Sequence, residues 1–548
     1  MKSWIEKNRN LLYISGLIIL YILSVLINLG HLNLRVEEPR RAIVSLEMLE
    51  RGEFFDSHTM GWSYYNKPPL FNWILSGLMK ITGSDSEFIC RIPSVISLLL
   101  LGLSNFLFTR KYLGERLAAL SSFFVMTCAD MYFYWLSNGA EIDIFYSLIV
   151  YLQVITVFKF YEQKKFAWLF ISSWFFCAIG FFTKGYTSLI FQGLTLLALC
   201  VYARSLKILF RPQHLFGILA FLLVSGSFLY FYSFSNSPRV LLINLLNESL
   251  LKSAVGQESH GKFYKIFSYP LVLIRVLAPW CFILLFLIKR KTFKLFDNPL
   301  IRFSIFFILF NIPVYWLTGA QKTRYIIMFI PFVMSIVVYL IKQVEEQLPA
   351  LFDKIFRYAG ILFVFVLASI IMLPFFAKVE WGYSLLFSGF LLFFLILYYR
   401  SRQYRIWLFL TGVIFVRLIY ASIGIPLKKQ KEFDYHEMAM RLAEKNNFHE
   451  IRFWAKSEKL PLDIVCIDTI YKWKDKPVYV IPGLVSYQVP YYFYKATGVL
   501  MKYDTTIYPG KTYVSYRPYL GGTNFKEIAS YYDKQFGDSL ILFRSIEE

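Results

Sequence analysis

The sequence predicts a polytopic α-helical membrane protein with a C-terminal extracytoplasmic α/β domain. Three observations lead there. Of the 548 residues 57% are apolar, and they gather in runs of about 17–24 residues, the length that crosses a bilayer as a helix. Lys and Arg cluster in short groups between alternate runs, so the net charge of +22 reports membrane topology rather than a nucleic-acid partner. From Lys428 onward the chain becomes polar and mixed in charge, with short strand-like runs and turn signals.

About thirteen spans are expected, near 11–30, 92–109, 117–135, 143–160, 166–182, 186–203, 215–233, 266–288, 300–317, 325–341, 358–377, 381–399 and 406–424. Lys2, Lys7 and Arg9 precede the first run. That run is long, with no small-residue cleavage site after it, and reads as an uncleaved signal-anchor. The basic clusters at Arg110/Lys111/Arg116, Lys159/Lys164/Lys165, Arg204/Lys207/Arg211, Lys289/Arg290/Lys291 and Arg400/Arg402/Arg405 place their loops in the cytoplasm. The alternate loops then face outward: 31–91, 136–142, the Thr183-Lys184-Gly185 turn, 234–265, 318–324 and the tail. The division is a membrane domain over 1–424 and a soluble domain over 425–548. In the tail, Tyr435 to Lys445 reads as a helix, and 450–454, 477–480, 512–516 and 539–543 read as strands. The six cysteines stand far apart, in neither metal-ligand nor disulfide spacing.

The first outer loop carries the most distinctive stretch. Pro39 suits the first position of a helix. Ile43, Leu46 and Leu49 recur at helical spacing opposite Arg41, Glu47 and Glu50, and Gly52 closes the run. An amphipathic helix lying on the membrane surface is expected, with Glu37 and Glu38 at its start. On the same face the topology gathers Lys67, Asp143, Lys184, His260, Lys322 and Arg324. Each has an ordinary explanation alone: a lysine or arginine snorkels at a span end, and a lone histidine is usually a surface residue. Together, cations that hold and stabilise a departing phosphate and carboxylates that orient or deprotonate an attacking hydroxyl make a coherent catalytic set.

Here the sequence resembles a known family. Glu37-Glu38-Pro39-Arg40-Arg41-Ala42 is similar to the Asp-Glu-x-Arg-Tyr-Ala signature of the aminoarabinose (lipid A) transferase and protein O-mannosyltransferase group of GT-C glycosyltransferases. Tyr65-Asn66-Lys67-Pro68-Pro69-Leu70-Phe71-Asn72-Trp73 resembles its Tyr-x-Lys-Pro-Pro-Leu-x-x-Trp segment. Arg91-Ile92-Pro93-Ser94, Asp143, Thr183-Lys184-Gly185 and Lys322-Thr323-Arg324-Tyr325 fall on further family positions. The resemblance covers residues 1 to about 424. It implies a GT-C fold and an inverting transferase that takes a sugar from polyprenyl (undecaprenyl) phosphate at the periplasmic face of a bacterial inner membrane. Lipid A or a related glycolipid is the favoured acceptor, with protein Ser/Thr as the alternative. It further implies Glu37, Asp143 and Glu38 as catalytic carboxylates, and Lys67, Lys184, Lys322, Arg324 and Arg40 as the donor-phosphate cations. The family's divalent metal would fall on Asn66 and His260. Asn stands where the aminoarabinose branch has Glu and is a poor zinc ligand, which weakens that expectation.

Two readings from other classes were weighed. A transporter or flippase predicts charges at mid-span and two related halves; only Arg275 and Arg417 suit it. A membrane scaffold explains neither the Lys-Pro-Pro motif nor the one-sided charges.

Overall fold

The structure, a computed structural model, describes residues 2–135, 139, 141–251, 262–284, 294–316, 323–445, 451–454, 472–473, 476–477, 487–504, 506–508, 510–520, 524–533 and 538–546. Eleven of the thirteen expected spans fall on apolar helices among these residues; those at 117–135 and 266–288 do not form one long helix. Among the described residues eight helices are long and apolar enough to cross a membrane, from Glu87–Leu113 to Arg405–Lys429, and Leu12–Leu26, Thr187–Ala203 and Pro299–Val314 are shorter apolar helices. Large side chains such as Leu219, Leu222, Phe365, Phe390 and Phe393 stay exposed on these helices, a band suited to lipid rather than water.

Two expected spans are not continuous α-helices. The 117–135 run is α-helical over Glu115–Met126 and continues as a π-helix over Asp130–Trp135. The 266–288 run carries helix Lys262–Leu277, containing Pro270, and then passes into a tighter turn. Hydropathy reports only that a stretch avoids water; which carbonyl each N–H finds is decided by packing. Arg275 and Arg417, the two charges that suited a transporter, serve this irregular region. Arg275 pairs with Asp130 at 3.0 Å. Arg417 is wholly buried, donates from Nε to the Tyr132 carbonyl at 2.8 Å, and lies beside the Tyr132 and Tyr420 rings. Tyr420 opens a second π-helix, Tyr420–Gly424, so Arg417 bridges the two π-helical segments.

The tail forms a five-stranded sheet in the order Lys502–Asp504, Ile451–Trp454, Thr512–Tyr516, Asp538–Ser545, Phe525–Asp533. The first three strands run parallel and the last two add antiparallel. Helices Tyr435–Lys445 and Gln488–Thr497 cover one face. The expected strands at 512–516 and 539–543 are present, and of 450–454 the described part, Ile451–Trp454, is a strand. Of 477–480 only Pro477 lies among the described residues, in a two-residue pair with Lys472–Trp473. The last transmembrane helix continues to Lys429, past the expected boundary at 424.

One expectation is overturned by the packing. The first-loop helix, Glu38–Arg51, does not turn its apolar stripe to a membrane surface. Ile43 and Leu46 enter a core with Tyr435, Met438, Leu442, Tyr491 and Tyr492 of the tail. Its polar side is buried too, at Arg41, Ser45 and Glu47. The helix is held between the membrane helices and the tail, so both faces are covered. Amphipathic spacing marks an apolar stripe but not what covers it.

Candidate active site

Local backbone chemistry separates the paired carboxylates. Val36, a β-branched residue, adopts φ +55°, a conformation such residues occupy only when the surroundings impose it. Pro39 starts the helix and Gly52 ends it at φ +68°. The result sends Glu37 and Glu38 in opposite directions. Glu37 pairs with Arg40 one turn along and stays about a quarter exposed. Glu38 turns inward, where its side chain is wholly buried against Arg91 with contacts of 2.9 and 3.0 Å. It also accepts the Arg35 backbone N–H at 2.8 Å. Arg91 spends its other donors on the carbonyls of Leu29, Leu32 and Asn33. Glu38 therefore ties the loop to the second span and has no access to a substrate. The catalytic role expected for it does not fit this geometry, because its oxygens are taken up by a bidentate guanidinium and a backbone donor.

Lys67 is delivered by its prolines. Pro68 restricts the backbone of Lys67 and Pro69 opens helix Leu70–Thr82. The ammonium reaches Glu248 at 2.7 Å. Asn72, in the same motif, donates to the Arg41 carbonyl and to Ser45 at 3.1 Å each, and Phe71 lies under the Arg41 guanidinium. The Lys-Pro-Pro segment thus positions Arg41 as well as Lys67.

Asp143 sits in the first turn of helix Ile142–Glu162 and pairs with Lys184 from the end of helix Phe166–Lys184. Lys184 also faces the rings of Tyr146 and Tyr325, at 4.8 and 5.4 Å. Gly180 lets the next helix approach: a Cβ there would stand 2.6 Å from Ser188 Oγ. Ser188 in turn donates to the Tyr146 hydroxyl. Arg324 reaches Glu141 at 3.7 Å, and Arg41 reaches the same carboxylate at 3.4 Å.

Two cation–carboxylate groups result. One holds Glu37, Arg40, Lys67 and Glu248; the other holds Arg41, Glu141, Arg324, Asp143 and Lys184. Tyr64 joins them, since Arg40, Arg41 and Glu248 all act electrostatically on its hydroxyl. The sequence reading missed Glu141, Glu248 and Tyr64 as site members and assigned Arg41 only to a helix face. The Glu141-Ile142-Asp143 spacing was the available signal for Glu141. Nothing in the chain's local pattern marks Glu248, which reaches Lys67 only through the fold. Lys322 and His260 lie outside the described residues. Asn66 is half-buried beside Lys67, and among the described residues no three His, Cys, Asp or Glu side chains group to hold a metal.

Burial pushes the Glu141 carboxyl up from its ordinary 4.5; Arg41 and Arg324 oppose the shift and Asp143 adds to it. A carboxyl held above its ordinary value stabilises the fold fully below that value and progressively less as pH rises through the raised one. The melting temperature is expected to fall as pH is raised upward from 4.5, and Glu141→Gln to lack that part of the fall. Identical pH profiles for the two proteins would remove Glu141 as its source.

Comparison with known proteins follows this geometry. Residues 66–230, from Asn66 of the Lys-Pro-Pro segment to the end of the seventh span, match the family described as dolichyl-phosphate-mannose-protein mannosyltransferase. An uncharacterised protein of Aquifex aeolicus is 25% identical over 311 residues, 56% of this chain and 68% of that one. The undecaprenyl phosphate-alpha-4-amino-4-deoxy-L-arabinose arabinosyl transferase 2 of Proteus mirabilis is 26% identical over 214 residues, 38% of each chain. The chain thus spans well under half the length of this named relative. The crystal structure of ArnT from Cupriavidus metallidurans bound to undecaprenyl phosphate superposes with a TM-score of 0.66 over 98% of both chains, at 14% identity. The fold is that of this ArnT structure, the GT-C fold expected from the sequence. The superposition takes in the tail as well as the membrane domain, so the GT-C likeness runs the length of the chain. It is a multi-pass membrane architecture, as expected from the apolar runs.

Proposed function

We propose that the protein is an inverting membrane glycosyltransferase that moves a sugar from polyprenyl phosphate to an envelope acceptor at the periplasmic face. One observation carries this reading. Arg40, Arg41 and Arg324 each keep a buried Nε–H without an acceptor among the described residues, in two adjoining groups that also hold Lys67, Lys184, Asp143 and Glu37. A buried guanidinium donor left unmade is costly, and a phosphate is the ligand that such converging donors suit. The site supplies the parts of the reaction as follows. The acceptor oxygen attacks the anomeric carbon opposite the phosphate, the carbon–oxygen bond to phosphate breaks, and the electron pair leaves with polyprenyl phosphate. Arg40, Arg41, Lys67, Lys184 and Arg324 offset the charge that develops on the leaving group. A hydroxyl acceptor gives its proton to Asp143 or Glu37. A phosphate acceptor is already nucleophilic, and the carboxylates then orient it. No step is routed through a metal, because Asn66 brings a carboxamide rather than a carboxylate.

The named relatives act on undecaprenyl-phosphate aminoarabinose, which favours lipid A or a related glycolipid as acceptor, and the mannosyltransferase match favours a protein acceptor. Mass spectrometry of lipid A and of envelope glycopeptides separates them. The strains are a deletion, the deletion with the wild-type gene, and the deletion with Asp143→Asn. Loss of one sugar mass from lipid A, restored only by the wild type, is the expected result. The same loss confined to glycopeptides would make the protein acceptor correct. No change in either fraction would return the transporter reading.

A further inference from the structure

We propose that Tyr487, from the C-terminal domain, is a positioning residue of the donor-phosphate site and that the tail completes the active site. This rests on the reading of Arg40 as a phosphate ligand. Arg40 extends from the first-loop helix with its guanidinium beside two aromatic rings, Tyr64 of the same loop and Tyr487 of the tail, each ring centroid 5.6 Å from Cζ. Glu37 occupies one corner of the fork, and the buried Nε–H has no acceptor among the described residues. A guanidinium flanked by two rigid rings has already lost rotamers that a free arginine would have to give up on binding an anion. Tyr487 is itself 9% exposed.

What holds Tyr487 in place is separate from Arg40. It immediately precedes helix Gln488–Thr497, and that helix is fastened to both ends of the first outer loop. Gln488 donates to the Leu34 carbonyl at 3.0 Å, and the Leu34 N–H donates to the Tyr492 hydroxyl at 3.0 Å. At the other end Tyr491 donates to the Asp85 carbonyl at 2.7 Å and Lys495 pairs with Glu87 at 2.7 Å. None of these contacts involves Tyr487 or Arg40. Removing the ring therefore takes away one of the two aromatic neighbours of Arg40 while the domain stays docked.

The test is binding of undecaprenyl phosphate to the full-length protein in nanodiscs, read with the melting temperature of each variant. Tyr487→Ala is expected to weaken binding about tenfold and Tyr487→Phe, which keeps the ring, by less than about threefold. Tyr487→Leu fills the space without a π face and is expected to match Tyr487→Ala, which covers the case of an alanine protein that does not fold. In an Arg40→Gln background the Tyr487 substitutions should have no further effect, since their partner is gone. Wild-type affinity in Tyr487→Leu, or an equal additional loss in the Arg40→Gln background, overturns the proposal. A wild-type protein that does not bind the probe overturns the donor reading instead, and the two failures are told apart by that control.

Discussion

Asp143→Asn is expected to lower sugar transfer by about 10²–10⁴-fold, the range lost when a positioned acid or base is removed. The substitution keeps the shape of the side chain, and the amide oxygen can still accept from Lys184, which the carboxylate now pairs with. It removes the negative charge that balances Lys184 and adjoins the Arg324–Glu141 pair. The chemistry should therefore fail more than the fold. Turnover measured beside undecaprenyl-phosphate affinity separates the two, with affinity expected to change by only a few fold. A variant that turns over normally would show that Asp143 is a counter-ion and not part of the reaction, and would move the acid–base assignment to Glu37. Because Glu37 is more exposed than Asp143, it is the carboxylate that an incoming acceptor can reach first.

Arg91→Ala is expected to destabilise the protein by about 3–5 kcal/mol, the cost of stranding one member of a buried ion pair. Set against a total stability of about 5–15 kcal/mol, that is enough to deplete the folded protein in membranes. The Arg91 and Glu38 side chains are 1% and 0% exposed, so water cannot take the place of the missing guanidinium. Three carbonyls, of Leu29, Leu32 and Asn33, lose their donor as well. Replacing both partners by apolar residues, as in Arg91→Met with Glu38→Leu, should recover part of the loss because no charge is then left buried. The measurement is thermal unfolding followed by size-exclusion chromatography. Glu38→Gln gives the complementary check: a fall in melting temperature with transfer activity per folded molecule intact marks a structural carboxylate. Loss of activity at an unchanged melting temperature would restore Glu38 to the reaction.

The membrane domain was legible because its signals are one-dimensional. An apolar run of bilayer length needs no knowledge of its neighbours. The Lys-Pro-Pro segment was legible for a related reason, since the prolines act on the backbone next to them. The Glu37-Glu38 pair was legible as a site but not as two roles. The difference between the carboxylates arises from Val36 at φ +55° and from Arg91, 53 residues further along the chain from Glu38. The surface-helix expectation failed for the same reason: the apolar stripe of residues 43–49 was read correctly, but its partner lies near 435–492.

The sequence by itself determined the class of protein and pointed to many of the charged residues that the fold brings together. Tertiary structure alone decided which carboxylate faces which cation, that Glu141 and Glu248 belong with them, and that the tail reaches Arg40 through Tyr487. The physical reason is range. Hydropathy, proline geometry and charge clustering act within one or two turns of chain, whereas ion pairs and ring–guanidinium contacts join residues separated by up to 447 positions (Arg40 to Tyr487), and only the packed fold brings those within a few ångströms.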